Sequence, residues 1–411
     1  MFRRMRIVVP ALLTYCAAAC AAGDGNDRQD VSDDSAGDGA SADGAASGGD
    51  EGAGDGGDSA GGEAGNEAGG EPGKLTAGEW RDLDHWDFWR DIMQGDWSPM
   101  VERWGYDTSR RVSVHVRLGE VPVADATVVL SDGQQNELWH AKTDNLGRAE
   151  LFAGLFGSTA DGPLSLRVES GDASVAMPEI PSDGEAPITV ELPSAVPSAG
   201  LDLMFVVDTT GSMGDELSYL QVELADVIAR VGKSSTQSLD LRLSVNFYRD
   251  QGDEYVVRPF PFTTDIEFAL QRLQEQGAGG GDDFEEAVEE ALEDAVYEHE
   301  WRANARARLL FLVLDAPPHH TQDRVELLHD VTREAAALGI RIIPLSASGI
   351  DKNTEFLLRF LDISTAGTYT FVTDHSGIGG DHLEPTIGEY QVELLNDLLV
   401  RIISQAIQAE G

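Results

Sequence analysis

Three stretches in the second half of the chain, 201–207, 309–314 and 340–345, are apolar almost without interruption over the length of one strand. A strand with one wet face alternates apolar and polar residues, so a run without polar positions is covered on both sides. Between these runs the apolar residues return at helical spacing instead. Leu217, Leu220, Leu224, Val227, Ile228 and Val231 share one face, as do Phe284, Ala287, Val288, Ala291, Leu292, Ala295 and Val296. A third set, Val325, Leu328, Val331, Ala335 and Leu338, stops at Gly339, a residue suited to the left-handed end of a helix. A last helix is expected over about 389–407, burying Leu395, Leu398, Leu399, Ile402 and Ile403. Strands alternating with helices specify an α/β fold with a doubly wound, mostly parallel sheet, expected over 199–411.

What precedes that domain divides by composition. Arg3, Arg4 and Arg6 lead into an apolar run that ends at 22, too short to span a bilayer comfortably. Its end, Ala17-Ala18-Ala19-Cys20, resembles the lipobox of bacterial lipoproteins, which implies a leader over 1–20, lipidation of Cys20, and a place in the cell envelope, on the outer membrane or cell surface. The alternative is ordinary cleavage in the alanine-rich stretch and release as a periplasmic or secreted protein. Residues 21–74 hold 17 glycines and 14 acids against two basic residues and no aromatic side chain. Such a segment has nothing to bury against the entropy of ordering it, so a disordered tether is expected. Residues 75–110 carry five of the seven tryptophans and read as a buried collar. From 111 to 193 short alternating runs separated by Gly and Asp turns predict a small antiparallel β-sandwich. The run from Val121 to Leu130, followed by Thr143-Asp-Asn-Leu-Gly-Arg-Ala149, resembles transthyretin-like regulatory modules, which implies a presenting domain without a catalytic site.

Charge narrows the partners. The chain of 411 residues carries a net −44; removing the three leader arginines and the −12 of the tether leaves −35 on residues 75–411. That field repels phosphate backbones and anionic lipid head groups, so nucleic acid is excluded and a membrane is reached only through the N-terminal anchor. The two cysteines, Cys16 and Cys20, leave the folded part without sulfur for a disulfide or a zinc site.

In open α/β sheets ligands bind beyond the carboxyl ends of the strands. The first apolar strand runs into Asp208-Thr209-Thr210-Gly211-Ser212 and a later one into Asp315. Two carboxylates and two hydroxyls on one crevice, with no imidazole or thiolate, select Mg²⁺, Mn²⁺ or Ca²⁺ over zinc or copper. Asp208, Thr210 and Ser212 in this order resemble the first segment of the metal-ion-dependent adhesion site of the von Willebrand factor A family. The resemblance continues in the Gly-rich acidic loop from Gly277 to Ala287 and in Asp315. It implies that Thr210 and Ser212 bind the ion directly, that Asp208 and Asp315 bind directly or through water, and that Asp282 stands where the family has threonine, with Asp283 as the competing register. It also implies an activity, metal-dependent capture of a protein partner without catalysis. The rivals are an envelope scaffold with a structural metal and a metal-dependent hydrolase; residues 75–411 contain neither a Gly-x-Ser-x-Gly elbow nor a His-Glu-x-x-His helix for the latter. Tyr248-Arg249-Asp250 reads as a surface ion-pair network, and His319-His320 as a hydrogen-bonded loop.

Overall fold

The computed structural model describes residues 71–157, 162–181, 186–234, 240–281, 284–380 and 382–408. The leader with Cys20, the tether up to residue 70, and Asp282 and Asp283 lie outside them. In chain order the first elements are β1 (Thr76–Trp80), α1 (Trp86–Gln94) and α2 (Pro99–Trp104). Eight short strands follow: β2 (Arg111–Leu118), β3 (Val121–Pro122), β4 (Thr127–Ser131), β5 (Glu137–Lys142), β6 (Arg148–Phe152), β7 (Leu164–Ser170), β8 (Ala173–Ile180) and β9 (Ile188–Glu191). The α/β part comprises β10 (Leu201–Asp208), α3 (Leu217–Ser234), β11 (Leu241–Tyr248), β12 (Val257–Arg258), α4 (Ile266–Gln274), α5 (Val288–Glu293) and β13 (Ala307–Leu314). It continues with α6 (Gln322–Leu338), β14 (Ile340–Ser346), α7 (Lys352–Ser364), β15 (Tyr369–Val372), β16 (Glu393–Leu394) and α8 (Leu395–Ile407).

The large sheet has the order β12-β11-β10-β13-β14-β15-β1-β16. Strands β11, β10, β13, β14 and β15 are mutually parallel; β12 and β1 run antiparallel to them, and β16 pairs antiparallel with β1. Every residue of β10 and β13 is buried, as their unbroken apolar character requires. Alternate residues feed two cores. Leu203, Phe205, Leu309 and Phe311 face α3, α4 and α8, with Phe205 and Phe311 stacked at 5.2 Å. Met204, Val206, Leu310 and Leu312 face α5, α6 and α7. The apolar interior of the preceding strands belongs to this second core. Strands β3-β2-β6 with β9 form one four-stranded sheet and β5-β4-β7-β8 another, and Val112, Val114, Val128, Leu130 and Leu166 share the space between them. Trp139 of β5 meets Phe152 of β6 edge-on at 5.7 Å.

Two boundaries differ from the sequence reading. Residues 75–110 are not a separate collar: β1 lies between β15 and β16, and Gly78 is required there because a Cβ would stand 2.5 Å from the Phe371 ring. The tether also ends earlier than Lys74, since the amides of Gly73 and Lys74 donate to the Glu223 carboxylate at 2.9 and 2.7 Å. The tryptophans after β1 are structural, as expected of large rings with one donor. Trp89 donates to Thr108 and Trp104 to the Asn353 carbonyl, while buried Arg359 pairs with Asp82 at 2.6 Å and stacks on Trp89. The helix expected to begin at Phe284 begins at Val288, and Phe284 is 51% exposed.

Candidate metal centre

The carboxyl end of β10 delivers Asp208, wholly buried, into a turn stitched to the Gly-rich loop. The Gly211 amide donates to the Gly280 carbonyl and the Gly279 amide to the Thr209 carbonyl, each at 3.0 Å. Gly211 allows this approach, because a Cβ would sit 2.8 Å from the Gly280 oxygen. Asp208 Oδ1 accepts from the Thr210 amide at 2.8 Å and its hydroxyl at 2.7 Å, and Thr210 Oγ1 lies 3.1 Å from Ser212 Oγ. Asp315, just beyond β13 and 5% exposed, faces Ser212 and Asp208. Asp208, Thr210, Ser212 and Asp315 are therefore brought together; Asp282 falls outside the described residues.

Further acids join them that sequence reasoning did not single out. Glu286 is 2% exposed, its amide donating to the Pro317 carbonyl at 2.9 Å, and its carboxylate closes on Gly281 and Thr210. The only local signal for it was an acidic pair after a Gly-rich loop. Of the expected surface network only Arg249 takes part, pairing with exposed Glu254 at 3.9 Å and donating to the Gly277 carbonyl at 2.8 Å, whereas Tyr248 and Asp250 are buried. Asp253 accepts from the Gly281 amide at 3.0 Å and holds the loop.

Electrostatically the cluster is strained. Burial pushes the Asp208 carboxyl up to about 6, against the Thr210 hydrogen bonds that favour its charge. Burial and the Asp208 charge push Asp315 up to about 7. Burial, then the charges of Asp208, Asp250, Asp315 and Asp253, push Glu286 up to about 9. Among the described residues no lysine or arginine pairs with any of the three. Asp208 Oδ2, Asp315 Oδ1 and Glu286 Oε2 are buried and accept no hydrogen bond. Buried carboxylates persist when they are paired or bind a metal, and this all-oxygen set with two hydroxyls fits a hard divalent cation.

Next to this crevice His319 sits between two acids, Nδ1 at 3.1 Å from Glu289 and Nε2 at 3.3 Å from Asp250. Glu289, Glu290 and His319 hold ligand-type atoms within 4.8 Å of one another. Arg324 contacts both glutamates and supplies their counter-charge. His320 turns away to the Arg103 carbonyl, at 2.9 Å.

A family model for the von Willebrand factor A domain matches residues 202–377, from the start of β10 to just past β15. That stretch, less than half of the chain, is similar to von Willebrand factor A domains. No curated protein matches the chain.

Proposed function

We propose that this protein is a non-enzymatic, metal-dependent protein-binding module, exported and held by a lipid on Cys20, with the glycine-rich acidic segment between Cys20 and Gly73 as its tether. The observation that carries the reading is the set of buried carboxylate oxygens of Asp208, Asp315 and Glu286, facing one crevice without a basic partner. Mg²⁺, Mn²⁺ or Ca²⁺ would be held by Thr210, Ser212, Asp208 and Asp315, with Asp282 added by the family resemblance. The ion supplies a Lewis-acidic position at the surface of the crevice. Three or more carboxylates exceed the charge of one divalent ion, so the partner best offers a neutral or basic group rather than an acid. A hydrolase needs a poised base, and His319, the nearest imidazole, is engaged at both nitrogens.

Two experiments test this. A pull-down with the ectodomain is expected to capture a partner that chelator releases and that Asp208→Ala no longer binds, with circular dichroism unchanged; capture indifferent to chelator and to the substitution sinks the reading. Metabolic labelling with a fatty acid is expected to fail in Cys20→Ser, and retained label removes the anchor from that residue.

A further inference from the structure

At the opposite end of the sheet, where β13 and β14 begin, a cavity of about 290 Å³ opens between the large sheet and the turn that precedes β6. Three guanidiniums line it: Arg81 follows β1, Arg341 lies on β14, and Arg148 opens β6. In a chain of net −44 such a convergence is the reverse of what composition favours. Two of the nearby carboxylates are already engaged, and a third, buried Asp362, accepts no hydrogen bond and offers Arg81 only its charge. Asp144 takes Arg148 Nε at 3.0 Å and the Leu146 and Arg148 amides at 2.8 Å, while Glu79 pairs with Arg401 at 2.8 Å. Among the described residues Arg81 forms an ion pair only with Asp84, 3.7 Å away and more than half exposed, and its buried Nε has no hydrogen-bond partner. Among the described residues Arg341 makes no side-chain hydrogen bond and no ion pair. Its charge is disfavoured by burial first; the attraction of Asp144 is then countered by Arg81, Arg148 and Arg308, and the guanidinium is pushed down to about 10. Guanidinium forks left without acceptors in a partly enclosed space are unfavourable unless an acceptor arrives from outside.

We propose that this cavity binds a small ligand bearing an oxyanion, a carboxylate or a phosphate, whose charged group meets Arg341 and Arg81. Planar guanidiniums match both groups two bonds at a time, which lysines do not. Leu309 and Ile343, which flank Arg341 on the same face of the sheet, and Ile402 take the carbon part of the ligand. The volume sits at the small end of the range for ligand pockets, roughly 300 to 1,000 Å³, so the ligand is small. Because Arg148 belongs to one of the small sheets and Arg341 to the large one, an occupant also clamps the seam between them. This inference is independent of the metal reading.

The test uses the full chain, calorimetry and thermal denaturation, with sodium phosphate and sodium succinate as probes and sodium chloride at matched ionic strength as control. One-to-one binding of at least one probe is expected, with a rise in melting temperature that chloride does not reproduce. A response to phosphate alone assigns the phosphate class, and to succinate alone the carboxylate class. Arg341→Met is expected to weaken binding at least about tenfold, while Arg333→Gln, at an exposed pair with Asp330, leaves it unchanged. Without probe, Arg341→Met melts no lower than the parent, since it removes an unneutralised cation; if it fails to fold, Arg81→Gln carries the same comparison. Absence of binding by both probes beyond the chloride control, or undiminished binding in the folded variant, overturns the proposal.

Discussion

Asp202 and Asp208 stand on the same strand, β10, both wholly buried, and differ in what the protein has placed beside them. Asp202, near the amino end, receives Arg242 Nε at 2.9 Å, the Arg302 amide at 2.8 Å and the Arg302 guanidinium at 3.4 Å. Asp208, at the carboxyl end, receives the Thr210 amide and hydroxyl, has no guanidinium or ammonium beside it among the described residues, and is surrounded by further acids. One aspartate is neutralised within the fold, and the other is held in a state that only an outside cation relieves. Burial alone thus says little about function; the sign of what surrounds the charge separates a structural acid from a binding acid.

Substitution is the strongest way to break this contrast. Asp202→Ala strips two guanidiniums of their partner and is expected to lower the free energy of unfolding by about 3 kcal/mol in urea titrations. Asp208→Ala in metal-free protein is expected to have a small effect or the opposite sign, because it removes a desolvated charge from among like charges. Equal losses in both variants would erase the distinction. Next in size is the response to metal. Mn²⁺ or Mg²⁺ at a hundredfold excess over its dissociation constant is expected to stabilise the parent by about 2.7 kcal/mol. The gain should vanish in Asp208→Ala and shrink in Asp315→Ala; a full gain in both would place the ion elsewhere.

The pH dependence of metal-free protein sharpens the same point. Asp208, Asp315 and Glu286 have folded-state values raised above their unfolded ones, so the folded form binds the extra protons. Their contribution is therefore fully present below about pH 4 and is lost as pH rises through about 6 to 9. Saturating metal should flatten that decline, and a decline of equal depth with and without metal would contradict the assignment.

The paired end of the sheet and the unpaired end were not equally legible. The strands β10, β13 and β14 announced themselves because burial on both faces leaves no polar position, and Asp208 and Asp315 followed from where those runs stop. Glu286 and Asp250 were missed because each sits in irregular backbone. What brings Glu286 in is one amide bond to the Pro317 carbonyl, a contact with no periodicity to read. Strand β1 was missed for a related reason: Thr-Ala-Gly-Glu-Trp has weak strand character alone, and its pairing with β15 spans nearly the whole folded chain. Phe284 fitted a helical stripe yet lies outside the helix, since the chain must first reach Pro317 and Pro318 before α5 can begin.

The smallest expected effect concerns the counter-charge that the acid end does possess. His382 stands 3.3 Å from Glu216 and 2.7 Å from Asp374, its side chain 4% exposed. Burial opposes its protonation, but the hydrogen bonds and charges of Glu216 and Asp374 outweigh that and raise it above the ordinary histidine value. The sign follows from the folded form holding the proton longer: the contribution is fully present below about pH 6.5 and is lost as pH rises through the folded value. Arginines at the other end keep their charge across this range, so only the acid end surrenders its own cation near neutrality. With metal saturating, the crevice acids no longer titrate, and the steps that should remain near neutrality are those of His382 and Glu289. His382→Gln is expected to remove the first of these while leaving the metal-induced gain in place; a profile unchanged by that substitution would mean that Glu216 finds its neutralisation elsewhere.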